Sequence, residues 1–88
     1  MKDWVTLREL DGRAGTVKGS AFRAFKHLSA GWREGTDYRV LMPEADAQAI
    51  EALRAAGRIY ASSRSVVLLA RSAAERVAQA LASGQPRE

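Results

Sequence analysis

The chain has no cysteine. That absence excludes disulfides, thiolate metal sites and a cysteine nucleophile together, and gives no sign of an oxidising compartment. Its only histidine is His27, which stands among Arg and Lys with no acid nearby in sequence to orient it as a base. A metal site would need more ligands than these. Gly12, Gly15 and Gly19 lie three and four residues apart but follow no strand, so they do not form a phosphate loop. The carboxylates fall mostly on expected helix faces or caps, and nothing in the sequence pairs them. These absences together predict no catalysis, no cofactor and no bound metal, and no small-molecule ligand is evident.

Long apolar runs are missing too. The longest strictly apolar stretch is Val66–Ala70, far short of the roughly 20 residues that span a membrane. Met1-Lys2-Asp3-Trp4 lacks the apolar segment of a signal peptide. The expected location is the cytoplasm, without a membrane partner.

Acidic residues are absent from two stretches, 12–33 and 52–74. The first holds Arg13, Lys18, Arg23, Lys26, His27 and Arg33, and the second holds Arg54, Arg58, Arg64 and Arg71. The formal net charge is +4, and eleven of the fourteen basic residues are arginine. Arginine suits phosphate and guanine through its planar fork. Cations gathered away from acids are the footprint of a polyanion-binding surface.

The pattern of what is present predicts one small α+β domain over residues 1–84, with 85–88 a frayed tail. A chain of 88 residues buries only about 60% of its unfolded surface, so modest stability is expected. Thr6-Leu7-Arg8-Glu9 has the form of a capping box, opening a short helix to about Ala14 that Gly15 ends. A second helix is expected from about Lys18 to Leu28, with Val17, Ala21, Ala24, Phe25 and Leu28 as its buried stripe. Phe22 is expected at the flank of that core, a thymine-methyl contact being its alternative role. Two short helices joined through a glycine-containing turn make a helix-turn-helix.

Farther on, 37–42 reads as a strand. Pro43 then opens a helix whose seam is Ala47, Ile50 and Leu53, ended by Gly57. Residues 58–61 and 66–69 read as a hairpin around a Ser62–Ser65 turn, with the second strand apolar on both faces and therefore central. Ser72-Ala73-Ala74-Glu75 resembles another capping box, opening a terminal helix with Ala73, Val77 and Leu81 inward and Gly84 at its end. The sum is a helix-turn-helix, an antiparallel sheet of about three strands and a C-terminal helix, a winged-helix-like order.

On this reading the helix over 18–28 turns Lys18, Ser20, Arg23, Lys26 and His27 away from the core. A helix fits the major groove, and residues near its N-terminus reach base edges first. Ser20 and Arg23 are therefore the expected base readers, while Lys18, Lys26 and His27 touch phosphates. Arg64, at the tip of the hairpin, is placed for phosphate or minor-groove contact.

Thr6-Leu7-Arg8-Glu9-Leu10 followed by Val17-Lys18-Gly19-Ser20-Ala21-Phe22-Arg23-Ala24-Phe25-Lys26 resembles the N-terminal part of small winged-helix proteins, of the excisionase and MerR-type groups. Gly35-Thr36-Asp37-Tyr38 looks like their turn into a wing strand. The resemblance covers about residues 4–42, and the chain departs from the pattern after Pro43. It implies binding to double-stranded DNA, often as a dimer or array, by a transcriptional regulator or a recombination-directionality factor from a bacterium, phage or plasmid. The terminal helix is the expected dimer element. A second class of function also fits: a protein-interaction module, such as a phage inhibitor or antitoxin-like adaptor, docking through the 58–69 hairpin or the C-terminal helix.

Overall fold

Thr6 closes a short strand and opens a helix. It ends β1 (Val5–Thr6) and caps α1 (Leu7–Ala14). The Glu9 amide donates to Thr6 Oγ1 at 3.1 Å, and the Thr6 amide donates to Glu9 Oε1 at 2.9 Å. This is the reciprocal box expected from the sequence. The computed structural model describes residues 4–82. Within them the chain is α+β, with four helices and one three-stranded antiparallel sheet.

After α1, Gly15 turns left-handed at φ 70°, a conformation glycine adopts without steric cost. The turn runs to Gly19, and α2 occupies Ser20–Leu28. A 3-10 turn at Ser29–Gly31 leads to β2 (Tyr38–Leu41), then α3 (Ala47–Ala55), β3 (Val66–Leu69) and α4 (Arg71–Ala82).

The sheet order is β1-β3-β2. Val5 lies opposite Leu69 on one side of β3, and Tyr38 opposite the same residue on the other. Alternation along β3 then divides the core in two. Leu69, with Val67 at its edge, packs with Leu10, Ala21, Ala24, Phe25, Val77 and Leu81 from α1, α2 and α4. Val66 and Leu68 face the other way, toward Leu41, Ile50, Leu53 and Ile59. A strand covered on both faces must be apolar at every position, which is why 66–69 reads as an unbroken run. Phe25 anchors the first core, with its ring edge-on to Tyr38 at 5.2 Å and tilted against Trp32 at 6.2 Å.

Several expectations need correction. Residues 58–61 form no strand, so there is no 58–69 hairpin; the third strand is Val5–Thr6 instead. The Thr6 hydroxyl donates to the Arg58 carbonyl at 2.5 Å, and this segment lies against β1 through side-chain bonds, not through a ladder. Val17 is 72% exposed and belongs to the turn, because α2 begins three residues beyond it. Phe22 is 44% exposed and sits outside the core. Pro43 is in a turn, not a helix, and Asp46 takes the N-cap of α3. The Asp46 carboxylate accepts from the Met42 amide at 3.0 Å, which closes that turn. Ser72 lies inside α4, which starts at Arg71. The expected stop at Gly84 and the 85–88 tail fall outside the described residues.

Because β3 is covered on both faces, truncating either face should cost about the same. Leu68→Ala and Leu69→Ala are each expected to lower unfolding free energy by about 2–5 kcal/mol in urea titrations. An undiminished stability for Leu68→Ala would show that the α3 layer contributes nothing to the core.

Candidate nucleic-acid interface

The N-terminus of α2 is not capped from within. Gly19 stands at its N-cap at φ 95° and has no side chain to offer, and no acid lies in the first turn of α2. The cap comes from α1. Asp11, only 3% exposed, accepts through Oδ1 from the Ala21 amide at 2.8 Å and the Thr16 hydroxyl at 3.1 Å. Its Oδ2 accepts from the Gly19 amide at 3.2 Å and from the Tyr60 hydroxyl at 2.6 Å. Two otherwise orphaned amides are thereby satisfied, and negative charge sits at the positive end of the helix dipole.

With Ala21, Ala24 and Phe25 buried against α1 and α4, the opposite face of α2 is open. Arg23, Lys26 and His27 are all exposed on it, three and four residues apart and so on one face. Ser20 is half-buried at the first turn. Lys26 lies over the exposed Phe22 ring, 5.6 Å from its centroid. Among the described residues the ion pairs are Arg54–Glu51 and Arg58–Glu9, so none of the cations on this face is neutralised by a carboxylate.

Lys18 ties the turn to the segment that precedes β3. Its ammonium donates to Ser62 Oγ at 3.2 Å and stands 5.1 Å from the Tyr60 ring centroid. Arg54 reaches the same segment from α3, donating to the Ala61 and Ser63 carbonyls at 2.6 and 3.2 Å. Residues 60–65 are therefore a pinned loop beside the start of α2, with Arg64 exposed on it. The structure thus gathers Lys18 with the Arg64 loop, and Arg23, Lys26 and His27 along the helix. The hairpin tip expected to carry Arg64 is replaced by this loop.

Arg58 faces inward. Its guanidinium meets Glu9 at 2.7 Å and donates to the Trp4 carbonyl at 2.8 Å. Burial works against ionisation of Glu9, but the Arg58 hydrogen bond and the Thr6 amide outweigh it and hold the carboxyl below the usual range. Arg58 is held above its ordinary value chiefly by the same bond. Arg8 likewise donates to the Gly57 carbonyl.

Asp11 and Tyr60 were not among the sequence-derived site residues. A signal existed for Asp11, which falls one and four positions after Leu10 and Leu7, on the apolar stripe of α1. A carboxylate on such a stripe must be buried with partners. Tyr60 carried no comparable signal, since its segment reads as a strand. No protein-family model, curated protein or solved structure matches the chain.

Burial, and then donation to Asp11, push the Tyr60 phenol up to about 12. A folded value above the ordinary tyrosine value of about 10 means that the neutral phenol stabilises the fold fully below about pH 10. That contribution is lost as pH rises through the folded value. Tyr60→Phe is expected to be less stable than the parent by about 1–2 kcal/mol at pH 8, with the gap closing toward pH 12. Chemical denaturation at several pH values measures it.

Asp11→Ala orphans the Gly19 and Ala21 amides and should cost about 2–4 kcal/mol. The most direct readout is faster hydrogen exchange at those two amides. Unchanged exchange there would mean that the cap lies elsewhere.

Proposed function

We propose that this chain is a small, non-enzymatic winged helix-turn-helix protein that binds double-stranded DNA, with α2 in the major groove. One observation carries the reading: α2 turns Arg23, Lys26 and His27 into solvent on a single face that no carboxylate neutralises. Its supporting geometry is the α1–turn–α2 pair backed by a sheet of order β1-β3-β2. In this reading residues 42–65, between β2 and β3, take the place of a simple wing.

Ser20 and Arg23, nearest the start of α2, are the base readers, and Lys18, Lys26, His27 and Arg64 hold phosphates. Phe22, exposed on the same helix, is the apolar side chain available to a thymine methyl. The role resembles that of excisionase-like or MerR-like regulators, as the sequence pattern suggests.

Of the two docking elements of the protein-interaction reading, one is missing and the other, α4, turns its larger apolar side chains inward. The 58–69 hairpin does not form, and the apolar residues of α4 (Ala73, Ala74, Val77 and Leu81) lie in the core. Outward positions on α4 are polar or small: Arg71, Ser72, Glu75, Arg76, Gln79 and Ala82. The same fact leaves a dimer through α4 without an apolar seam.

Three cations on phosphates, Lys18, Lys26 and Arg64, imply a slope of log K against log salt of about −2 to −3. Fluorescence anisotropy with a labelled random duplex at two or more salt concentrations should show it. Arg23→Ala with Lys26→Ala is expected to abolish the binding and leave the circular dichroism spectrum unchanged, since both side chains are in solvent. Full binding by the folded double variant would reject α2 as the reading element.

A further inference from the structure

Between α1, the start of α2 and residues 59–67 lies a cleft of about 210 Å³. We propose that it binds a small aromatic carboxylate. Its size sets the first limit. A cavity of about 150 Å³ accepts benzene, and drug-sized ligands need roughly 300 Å³ or more. A single substituted ring is what this volume holds.

The lining sets the chemistry. Leu7, Phe22, Ile59 and Val67 give it apolar walls, and Phe22 is there because its ring is left outside the core. Tyr60 adds an aromatic face. A bare inorganic anion would leave these walls wet.

The charge at the cleft is what makes the occupant anionic. Arg8 and Lys18 both line it, and both lie over the Tyr60 ring, at 5.5 and 5.1 Å from its centroid. Their hydrogen bonds go to neutral oxygens, the Gly57 carbonyl and the Ser62 hydroxyl. Neither has an ion-pair partner among the described residues. Asp11 is the one acid in the lining, and four donors already occupy its two oxygens. Two cations against one engaged carboxylate favour a ligand carboxylate, which can take charge-assisted bonds. The Ser63 and Ser65 hydroxyls supply further donors. A neutral hydrocarbon would leave the cations unmatched, and an aromatic carboxylate answers both parts of the lining.

The cleft shares Lys18 and Phe22 with the proposed DNA-binding face, but its test contains no duplex, so failure here and failure of the nucleic-acid reading are distinguishable. The full chain is titrated with benzoate and with phenylacetate while backbone amide spectra are recorded. Saturable shifts are expected at Gly19, Ser63, Ser65 and Val67. Inorganic phosphate and benzyl alcohol, at the same concentrations, should produce much weaker responses. Lys18→Gln, which can still bond Ser62, should weaken benzoate by roughly fivefold or more while leaving benzyl alcohol unchanged. Phe22→Ala should weaken both aromatic ligands, with loss of one apolar wall. No saturable shift up to about 10 mM would overturn the proposal. An equal response to phosphate would mark a bare anion site, an equal response to benzyl alcohol an apolar cleft blind to charge, and either outcome would sink it.

Discussion

The buried carboxylate of Asp11 is the constraint that the rest of the molecule is arranged around. A charge 3% exposed is tolerable only when its lone pairs are taken, and here four donors from three parts of the chain take them. The turn supplies Thr16 and Gly19, α2 supplies Ala21, and the segment before β3 supplies Tyr60. Each partner is fixed by the others. Placing the anion on α1 has a further consequence for α2. A helix start is stabilised by negative charge, yet an acid on α2 itself would dilute the cationic face. With Asp11 behind it, α2 gains the dipole stabilisation and keeps acid off its outer side.

The second organising fact is that β3 is covered on both faces. A three-stranded sheet against one layer of helices would leave Val66 and Leu68 wet. Residues 42–65 prevent this, with Ile50 and Leu53 of α3 and Ile59 beyond it completing a second apolar layer. The layer is then fastened to α1 by polar contacts at its far end, through Arg58 to Glu9 and Thr6 and through Arg8 to Gly57. A long connection between adjacent strands has thereby become part of the core. Its last turn, residues 60–65, is delivered to the start of α2.

Local signals were the ones the sequence displayed well. The Thr6–Glu9 box, the Gly15 exit, the inward Ala21, Ala24 and Phe25 and the central 66–69 strand all follow from spacing within a few residues, and the structure has each of them. What spacing could not show was pairing across the chain. Residues 58–61 have strand-like composition, but β3 has only two edges, and β1 and β2 occupy them. Thr6 bonds the Arg58 carbonyl from outside the ladder, so this stretch stays irregular. Val17 fits the apolar period of α2 by number, but Gly19 sets the helix start beyond it. Phe22 is apolar and adjacent to the core, and it is excluded because Ala21 and Phe25 already fill the contact with α1, α4 and β2. The cationic candidates were legible because exposure of a charged side chain on a half-buried helix needs only the helix period.

Charge density along the sequence and charge density on the surface turn out to differ. Both acid-free stretches look alike as text, but they are used differently. In the second, Arg54 and Arg58 give their donors to main-chain carbonyls and to Glu51 and Glu9, while Arg64 stays in solvent. Arginine suits that internal work because its rigid fork can hold several oxygens at once. In the first stretch Arg23 and Lys26 make no such bond to a carboxylate, and Lys18 bonds only a neutral hydroxyl. The guanidiniums that shape the loop therefore free it to sit beside α2, where its single exposed arginine adds to the helix's charge. A polyanion approaching this side meets cations carried by a helix and a loop that are both fastened to the same buried carboxylate. Contact with such a polyanion would cost side-chain ordering but little backbone ordering, because the backbone that carries the charges is already held in place.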